Sequence, residues 1–400
     1  MKAVIAIDSF KGSIGSHEAG KAVSRGIIKA CKENCVSRVF SVSDGGEGCV
    51  DALCALTGKI RSSLVTGPLG EKVEAKWGIV TTPSGDTAVI EMSSAAGIAL
   101  VRKEELNPLY TTTFGVGEII KEAIEEGYRR FIIGIGGSCT NDGGAGMLQA
   151  LGYNLNDSDS KPISAGAIGL RDLASISDKE VLDEFRECTF RIACDVKNPL
   201  CGENGCSAIY GPQKGATPEM IRDMDKWLKE YAKLTENYVI ERNKTGASQN
   251  SEASRYAHSD EYPGAGAAGG MGYAFHTFLN ATLESGINLI LDEIGIENEI
   301  ADSDIVITGE GRMDCQTVMG KVPVGVAHLA KKYGKKVIAF CGCATEDAGV
   351  CNEYGIDAYF PIVRDVASRE EAMKPENTLK NLELTAEQVF RALCALEEQR

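Results

Sequence analysis

The sequence predicts an α/β protein in which both chain ends form one doubly wound domain and a second α/β domain with a mixed sheet is inserted. Three observations predict this architecture. Segments with the character of buried strands alternate with amphipathic helices at both chain ends, as in parallel sheets. Residues 71–92 in the middle instead have the texture of a β-hairpin. The chain has 400 residues, too many for one ordinary core, so two or three domains are expected.

The first chain end reads as strand, helix and strand. Residues 3–8 form an apolar run that ends in Asp8, the pattern of a buried parallel strand. Residues 16–32 carry apolar side chains on one helical stripe, and residues 38–43 form the next strand. The loop 44–48 then leads into another helix.

After residues 67–70 the alternation of strand-like and helical segments gives way to a hairpin-like pattern. The hairpin turns at Pro83, Ser84 and Gly85. The polar residues 243–262 predict a surface connection. The other elements predicted here are helices near 95–101 and 115–127, a strand at 131–136, a helix from Gly143, a strand at 189–195, a polar helix at 218–239 and a Gly/Ala-rich helix at 264–284.

The βα rhythm resumes at Gly286. The predicted strands are residues 287–292, 304–309, 336–341 and 358–362, and the last 25 residues form a charged amphipathic helix. The predicted domains are therefore residues 1–67 with 286–375, an inserted domain of residues 68–285 and a C-terminal helix of residues 376–400.

Composition and charge exclude several classes of protein. The net charge is −15 and no basic patch is present, which argues against a nucleic-acid partner. No apolar run reaches the length of about 18 residues that a membrane helix needs, and Asp8 interrupts the apolar N-terminus before it could serve as a signal peptide. The sequence predicts a cytoplasmic protein and leaves a homodimer open.

The 14 cysteines do not indicate a disulfide scaffold, because the chain is long and rich in regular elements. There is no CxxC pair, the four histidines are scattered, and Cys31 and Cys35 are only two candidate ligands, so a structural zinc site is not favoured. Most of the cysteines are predicted to be small core hydrophobes.

Polar residues follow five predicted strands at their carboxyl ends, where open α/β sheets bind ligands. A single Asp beside Gly is usually a turn or a helix cap. Five such loops together suit phosphoryl transfer, which needs glycines and backbone N–H groups near phosphates, cations, and carboxylates for Mg²⁺. The residues are Asp8, Ser9 and Lys11; Asp44 and Glu47; Ser138, Thr140, Asn141 and Asp142; Asp195, Lys197 and Asn198; and Glu310, Arg312, Asp314, Gln316 and Lys321.

Common short motifs add little to this prediction. Gly320 and Lys321 are followed by Val322, so a Walker A loop is absent. Residues 264–269 match GxGxxG, but no strand precedes them, which favours close packing or a helix N-terminus that faces an anion. Cys139 has no histidine in a comparable loop to activate it as a nucleophile.

At these loops the chain resembles the bacterial glycerate kinase family (type 1). The resemblance covers about residues 1–370, and Ile7, Ser43 and Cys139 replace the family's usual Pro, Ala and Ala at packing positions. The matching stretches are DSFKGS (8–13), SDGGEG (43–48), GIGGSCTNDGGAGM (134–147), ACDVKNPLCG (193–202), GPQKGATP (211–218), PGAGAAGGMG (263–272) and ITGEGRMDCQTVMGKVPVGVA (307–327).

The resemblance implies phosphorylation of D-glycerate that depends on ATP and Mg²⁺. It also implies that the domain made of both chain ends is flavodoxin-like and that a cleft separates it from the inserted domain. The 2-phosphoglycerate product is favoured over 3-phosphoglycerate. Two alternatives stay open, an NAD-linked hydroxy-acid dehydrogenase and a non-catalytic sensor of sugar acids.

The predicted mechanism is in-line transfer of a phosphoryl group to a glycerate hydroxyl. Asp195 or Asp44 is expected to be the general base or a Mg²⁺ ligand, and Lys11 is the third catalytic residue. The predicted metal ligands are Asp195 and Asp314. The residues predicted to bind substrate or nucleotide are Asp8, Ser9, Ser138, Thr140, Asn141, Lys214, Gly266, Glu310, Arg312, Gln316 and Lys321.

Overall fold

The computed structural model describes residues 1–46, 48–82, 85–244 and 258–397. The predicted loop residue Glu47, the hairpin residues Pro83 and Ser84, and most of the predicted surface connection, residues 245–257, lie outside this range. The strands are β1 (Lys2–Ile7), β2 (Val36–Ser41), β3 (Lys59–Thr66), β4 (Lys72–Thr82), β5 (Gly85–Glu91), β6 (Arg130–Gly134), β7 (Asn154–Asn156), β8 (Ser175–Ser177), β9 (Thr189–Ala193), β10 (Thr282–Glu284), β11 (Ile305–Met313), β12 (Lys336–Ala344) and β13 (Ala358–Pro361).

The helices alternate with these strands along the chain. The α-helices are α1 (Ser16–Cys31), α2 (Cys49–Thr57), α3 (Ser93–Ala96), α4 (Phe114–Glu125), α5 (Ala145–Ala150), α6 (Cys206–Tyr210), α7 (Pro218–Lys244), α8 (Ala267–Leu279), α9 (Gly286–Glu293), α10 (Glu297–Ala301), α11 (Val322–Lys332), α12 (Arg369–Ala372) and α13 (Pro375–Glu397). Short 3₁₀ helices span Lys32–Asn34, Ile98–Leu100, Lys103–Glu105, Ala167–Asp172, Asp183–Glu187, Pro212–Lys214, Ser259–Glu261, Cys315–Val318 and Glu346–Tyr354.

The chain divides into two compact units. The terminal unit comprises Met1–Thr57 and Ser285–Arg400, and the inserted unit comprises Gly58–Glu284. Residues 58–67, which the sequence assigns to the terminal domain, lie in the inserted unit because β3 pairs with β4 there. The C-terminal helix α13 lies in the terminal unit, where it packs against α1.

The sheet of the terminal unit has five parallel strands in the order β13-β12-β11-β1-β2. Numbered along this unit the order is 5-4-3-1-2, which is the flavodoxin-like order, and the direction of winding reverses between β1 and β11. The prediction of a flavodoxin-like domain built from both chain ends is confirmed. The reversal matters because ligands bind at the carboxyl ends of the strands beside such a switch point.

Strand β1 is buried on both faces. Ala3, Ile5 and Ile7 belong to one hydrophobic cluster, which also contains Phe390 of α13. Val4 and Ala6 belong to the cluster on the opposite face. Double burial explains why this strand is a continuous apolar run, without the alternation of a half-exposed strand.

Helices α1 and α13 approach one another at backbone distance. A Cβ atom added at Gly26 would lie 2.3 Å from the carbonyl oxygen of Glu383. Arg25 and Lys29 form ion pairs with the Glu383 carboxylate at 2.7 Å and 2.5 Å. The last helix of the chain is therefore held on the first.

The inserted unit has a six-stranded mixed sheet in the order β10-β9-β6-β5-β4-β3. Strands β3, β4 and β5 pair antiparallel, with Trp77 opposite Ile90, whereas β5, β6, β9 and β10 pair parallel. The prediction of a mixed sheet with a hairpin near residues 71–92 is confirmed. Strands β7 and β8 form a separate antiparallel pair.

The predicted strand at residues 287–292 is wrong, because these residues form helix α9. A short apolar run has no period that separates a strand from a buried helix. Here Ile287, Ile290 and Leu291 lie three and four residues apart and are all buried, so the helical spacing decides.

The predicted Gly/Ala-rich helix at 264–284 is too long at both ends. Its helix, α8, is interrupted by left-handed backbone at Ala268, Gly269 and Gly270, and residues 282–284 form strand β10 beside β9. The helix predicted near 95–101 also divides, since the extended backbone of Gly97 separates α3 from a 3₁₀ turn.

Among the helices in the described part of the chain, none combines the length and the apolar character needed to cross a membrane.

Candidate functional site

The switch point of the terminal sheet gathers side chains from three strand ends. Asp8 follows β1, Asp44 follows β2, and Glu310 lies near the end of β11. The backbone N–H of Asp8 donates a hydrogen bond of 2.9 Å to the carbonyl oxygen of Gly309, which joins the ends of the two central strands. The parallel strands thus bring together residues that are 300 positions apart in sequence.

Asp8 is the most perturbed carboxylate of this group. Its side chain is buried, and Oδ1 accepts a hydrogen bond of 2.7 Å from the N–H of Ser9. Burial and, after it, the negative charge of Asp44 raise the pKa of Asp8 to about 7, against the opposing effects of the Ser9 N–H and the Lys11 charge. A carboxyl group of this kind exchanges its proton near neutral pH.

Asp44 lies in a loop whose shape is set by close backbone packing. Its Oδ1 accepts a hydrogen bond of 3.1 Å from the N–H of Gly46, and its Oδ2 lies 3.9 Å from Nζ of Lys11. A Cβ atom at Gly286 would lie 1.9 Å from the Asp44 carbonyl oxygen, so only glycine lets α9 begin beside this loop. The side chain of Lys11 is 63% exposed, which leaves its ammonium group accessible to an anion.

Glu310 forms the third acidic group. Its Oε1 accepts a hydrogen bond of 2.6 Å from Oγ1 of Thr317, and Nζ of Lys321 lies 3.5 Å from Oε2. Burial raises the pKa of Glu310, and the bonds to Thr317 and Lys321 oppose this rise.

The carboxylate of Asp314 contacts three other predicted site residues of this unit, Gln316, Arg312 and Lys321. It caps a 3₁₀ turn by accepting a hydrogen bond of 2.9 Å from the N–H of Gln316. Arg312 and Lys321 lie 3.3 Å and 4.0 Å from its carboxylate oxygens. Arg312 has a side chain that is 64% exposed, so this pair presents positive charge to solvent beside an acid.

Two hydroxyl groups near these strand ends were left out of the predicted site, although Thr308 begins the polar stretch that the sequence places at the end of its strand. Thr308 Oγ1 in β11 and Ser41 Oγ in β2 are buried and lack a hydrogen-bond partner within the described residues. Only the three-dimensional structure identifies them, because a Ser or Thr in a strand has no sequence signal for an unsatisfied hydroxyl.

In the inserted unit, Lys214 organises the loop that follows β6. Its ammonium group donates hydrogen bonds of 2.8 Å to Ser138 Oγ and 2.6 Å to the Thr140 carbonyl oxygen. The side chain is 1% exposed, and burial lowers the pKa of Lys214 to about 8. These contacts make Lys214 a support for the loop, a role that the sequence did not predict for it.

The same loop is anchored by Asp142, which was placed in the loop but left out of the predicted site. Its carboxylate accepts hydrogen bonds from Thr113 N and Oγ1, at 2.9 Å and 2.8 Å, and from Gly144 N at 3.1 Å. Burial raises its pKa while these bonds oppose the rise. Asp142 is completely buried and therefore holds the loop in shape.

Asn141 and Thr140 keep unused hydrogen-bonding capacity. Nδ2 of Asn141 donates a 2.8 Å hydrogen bond to Ser207 Oγ. Asn141 Oδ1 and Thr140 Oγ1 are buried, and neither has a partner in the part of the chain that the structure describes.

Asp195 is exposed after the end of β9. Nearby, the N–H of Gly266 donates a hydrogen bond of 2.9 Å to the Asn198 carbonyl oxygen. A Cβ atom at Gly266 would lie 2.2 Å from the Pro199 carbonyl oxygen, and one at Gly269 would lie 2.1 Å from that of Thr140. The GxGxxG segment thus packs tightly against two of the predicted loops.

Cys139 has the environment of a core residue. It is buried, its thiol donates to the Ala96 carbonyl oxygen at 3.3 Å, and burial raises its pKa to about 12. A neutral buried thiol is a poor nucleophile.

The structure thus brings the predicted residues together in two sets. In the terminal unit the set is Asp8, Ser9, Lys11, Asp44, Glu310, Arg312, Asp314, Gln316 and Lys321. In the inserted unit the set is Ser138, Thr140, Asn141 and Lys214. Asp195 follows the neighbouring strand β9, and Gly266 lies in the GxGxxG segment that packs against the loop after β9.

Fold and site define an α/β protein with a discontinuous flavodoxin-like unit and an acidic, cation-bearing site at its switch point. A model of the glycerate kinase family matches residues 3–394. The chain belongs to the glycerate kinase family, and the prediction of this family and of a glycerate kinase enzyme is confirmed.

Individual relatives agree with this assignment. Glycerate 2-kinase of Escherichia coli (strain K12) is 45% identical over 375 residues, which cover 94% of this chain and 93% of that protein. Glycerate kinase of Haemophilus influenzae is 43% identical over 394 residues, which cover 98% and 99%. The crystal structure of a Salmonella typhimurium LT2 protein that carries the name glycerate kinase 2 matches with a TM-score of 0.84 at 40% identity, over 100% of both chains.

Burial of Asp8 predicts that Asp8→Asn stabilises the protein at neutral pH. The folded-state pKa of about 7 lies above the ordinary pKa of an aspartate, 3.8, so the folded state holds more protons between these pH values and loses stability as pH rises through them. Asparagine keeps the shape without the charge, so the free energy of unfolding at pH 8 should rise by about 1–3 kcal/mol. The gain should shrink as pH falls toward 5.

Urea unfolding of both proteins at pH 5 and pH 8 measures this difference. Asp304→Asn is the matched control, since Asp304 is an exposed acid of the same unit. A gain that is the same at both pH values would show that the buried charge is not its source.

Proposed function

We propose that this protein transfers the γ-phosphoryl group of ATP to a hydroxyl of D-glycerate, with Mg²⁺, and forms 2-phosphoglycerate. The observation that carries the proposal is the buried Asp8 carboxyl, with a pKa near neutrality, among acids and cations at the switch point of the terminal sheet. Family membership supplies the acceptor, and the Escherichia coli relative named Glycerate 2-kinase favours the 2-hydroxyl.

Asp8 is the general base in this proposal. Proton transfer from the acceptor hydroxyl is most efficient when the pKa of the base lies near the working pH, and Asp8 meets this condition through its burial. Asp44, which the sequence offered as a base, acts here by its charge on Asp8 and by its ion pair with Lys11.

Three cations bind the anionic reactants. Lys11 and Arg312 have mostly exposed side chains and lie 3.9 Å and 3.3 Å from acidic partners, so both groups can turn to a carboxylate or a phosphate. Lys321 is held between Glu310 and Asp314 and carries charge at a fixed position. Arginine suits bidentate contacts with the carboxylate of glycerate, whereas lysine acts as a point charge.

The residues of the terminal unit fit a magnesium ion and a nucleotide. Mg²⁺ prefers carboxylate and hydroxyl oxygens, and Asp314 with its neighbour Glu310 provides carboxylates at the end of β11. The unsatisfied hydroxyl of Thr308 adds an oxygen in the same strand. These residues would hold Mg²⁺ where it would supply positive charge to offset the charge that develops on the phosphate oxygens. Asp195, the other predicted ligand, stays a proposal.

The loop after β6 in the inserted unit contributes binding groups. Lys214 and Asp142 hold its backbone, and the unused acceptor of Asn141 and hydroxyl of Thr140 are available for hydrogen bonds. Ser138, which accepts from Lys214, completes this set. We propose that these side chains contact glycerate or nucleotide.

The dehydrogenase alternative is disfavoured by the GxGxxG segment. In a dinucleotide site the glycines follow a strand, open a helix and approach the pyrophosphate. Here Gly266 and Gly269 are covered by the backbone of Pro199 and Thr140, and the helix is interrupted at residues 268–270. A cytoplasmic location and a homodimer stay predictions.

An assay of ADP release with D-glycerate, ATP and Mg²⁺ tests the proposed reaction. We expect release that depends on all three, and nuclear magnetic resonance of the product should show phosphate on the 2-oxygen. NADH formation with glycerate and NAD would support the dehydrogenase, and binding of glycerate without turnover would support the sensor. Either outcome would replace the proposal, and phosphate on the 3-oxygen would correct its regiochemistry.

The pH dependence of kcat/KM tests Asp8 as the base. Because Asp8 must be deprotonated, kcat/KM should fall as pH drops below about 7, and Asp8→Asn should lower kcat by about 10²- to 10⁴-fold. Asp44→Asn removes a charge that raises the pKa of Asp8, so the acid limb should move to lower pH, whereas Lys11→Met should move it to higher pH.

Opposite shifts in these two variants are the decisive result, because general damage would not move the limb in two directions. Lys21→Ala, at an exposed position of α1, is the control and should leave the profile unchanged. An acid limb that persists unmoved in the residual activity of Asp8→Asn would remove Asp8 from this role.

The magnesium proposal is tested by Asp314→Asn and Asp195→Asn. Loss of a carboxylate ligand should raise the Mg²⁺ concentration needed for half-maximal rate by about tenfold or more, with less effect at saturating Mg²⁺. Asp172→Asn, an exposed acid paired with Arg171, is the control. A variant whose Mg²⁺ dependence equals that of the wild type does not lose a ligand.

A further inference from the structure

Three cysteine sulfurs come together in the terminal unit, away from the residues proposed for phosphoryl transfer. Cys31 is the last residue of α1, Cys35 directly precedes β2, and Cys394 lies in the last turn of α13. Their Sγ atoms all lie within 4.8 Å of one another. Cys31 and Cys35 are four residues apart in the sequence, but nothing in the sequence places Cys394 beside them.

The three sulfurs belong to free thiols that lie close enough together to bind one ion. The Sγ atoms of Cys31 and Cys394 are 2.9 Å apart, longer than the bond of about 2.05 Å in a disulfide, and all three residues are free cysteines. Cys31 and Cys35 are buried, whereas Cys394 is half-buried. The cluster therefore has a closed side formed by the core and an open side toward solvent.

The surroundings favour a bound cation. Cys31 and Cys394 each lie in the last turn of a helix, where the backbone carbonyl groups carry partial negative charge and attract cations. Burial raises the pKa of Cys35. The N-terminal ammonium of Met1, which donates a hydrogen bond of 2.9 Å to the Asn34 carbonyl oxygen, opposes this rise. Its charge offsets part of the negative charge that thiolates would bring.

We propose that Cys31, Cys35 and Cys394 form a three-thiolate site for a thiophilic d¹⁰ cation, with Zn²⁺ as its probe and solvent at the fourth position. Thiolates are the ligands that Zn²⁺ and Cu⁺ select. Tetrahedral Zn–S bonds of about 2.3 Å place the ligand sulfurs of one ion roughly 3.8 Å apart, so small movements of the three side chains suffice.

Binding exchanges protons for metal and changes no oxidation state. Each thiol loses its proton to solvent as its sulfur bonds to Zn²⁺, so three S–H bonds break and three Zn–S bonds form. Burial raises the pKa of Cys31 and Cys35, which keeps the metal-free cluster neutral and makes affinity increase with pH.

The bound ion would fasten the C-terminal helix to the start of the sheet. Cys394 belongs to α13, Cys31 to α1, and Cys35 to the chain that enters β2 beside β1. The ion pairs of Glu383 with Arg25 and Lys29 hold the same two helices farther along. Because the unfolded chain lacks the site, metal binding stabilises the folded unit.

The experiment titrates the reduced, metal-free full chain with Zn²⁺ without oxygen, in competition with a chromophoric chelator. We expect one equivalent to bind to the wild type and to Cys188→Ser, the control in the inserted unit. Cys31→Ser, Cys35→Ser and Cys394→Ser should each lose this equivalent. Co²⁺ should give a thiolate charge-transfer band in the wild type that is absent from these three variants.

Thermal melting separates loss of the site from loss of the fold. Zn²⁺ should raise the melting temperature of the wild type and of Cys188→Ser, and should leave Cys394→Ser unchanged although that variant still melts cooperatively. Binding that survives in any of the three variants, or its absence from the reduced wild type, overturns the proposal.

Discussion

The candidate site of the terminal unit depends on one constraint, the burial of the Asp8 carboxyl at the carboxyl end of β1. β1 is an inner strand of its sheet, with the edge strand β2 on one side and the central strand β11 on the other. The strand is sealed by apolar clusters on both faces, so a charge at its end loses most of its solvation. The same burial that fixes the sheet therefore raises the pKa of Asp8.

The protein compensates for this charge only in part. The Ser9 N–H and Lys11 oppose the rise in pKa, whereas Asp44 and Glu310 increase it. Full compensation by a close cation would give a stable ion pair with a low pKa and no capacity to accept a proton at neutral pH. A buried carboxylate that accepts a proton at neutral pH therefore has to remain incompletely compensated, which destabilises the folded state at that position. The surrounding core and its glycine contacts tolerate this cost in stability.

The sequence predicts the fold well where the patterns are long. The continuous apolar runs of β1 and β6 and the alternation around Trp77 each predict strands, and these strands were placed within a few residues. The failure at residues 287–292 has a physical cause, since a run of apolar residues that is buried on several sides has no period. Likewise, left-handed backbone at residues 268–270 interrupts a segment whose composition suggests one continuous helix.

For the site, the sequence predicts which loops contribute but not what each side chain does there. Lys214 was expected to bind the glycerate carboxylate or the phosphates. Its burial and its two hydrogen bonds to the loop after β6, which support that loop, could not be predicted from the sequence. Asp8 was expected to bind substrate or nucleotide, and the burial and neighbouring charges that raise its pKa to about 7 are visible only in the structure.

Contacts between the two ends of the chain show what can be predicted from the sequence, a close approach, and what cannot, the partner in that contact. The first helix and the last one meet at Gly26, where any side chain would strike the Glu383 carbonyl oxygen. A glycine inside a helix suggests some close approach, but it does not name the partner. The same holds for Cys394, which lies 363 residues from Cys31 in sequence and 2.9 Å from it in sulfur-to-sulfur distance. A site that depends on such pairs can be identified only from the folded terminal unit, because folding brings residues from the two chain ends into contact.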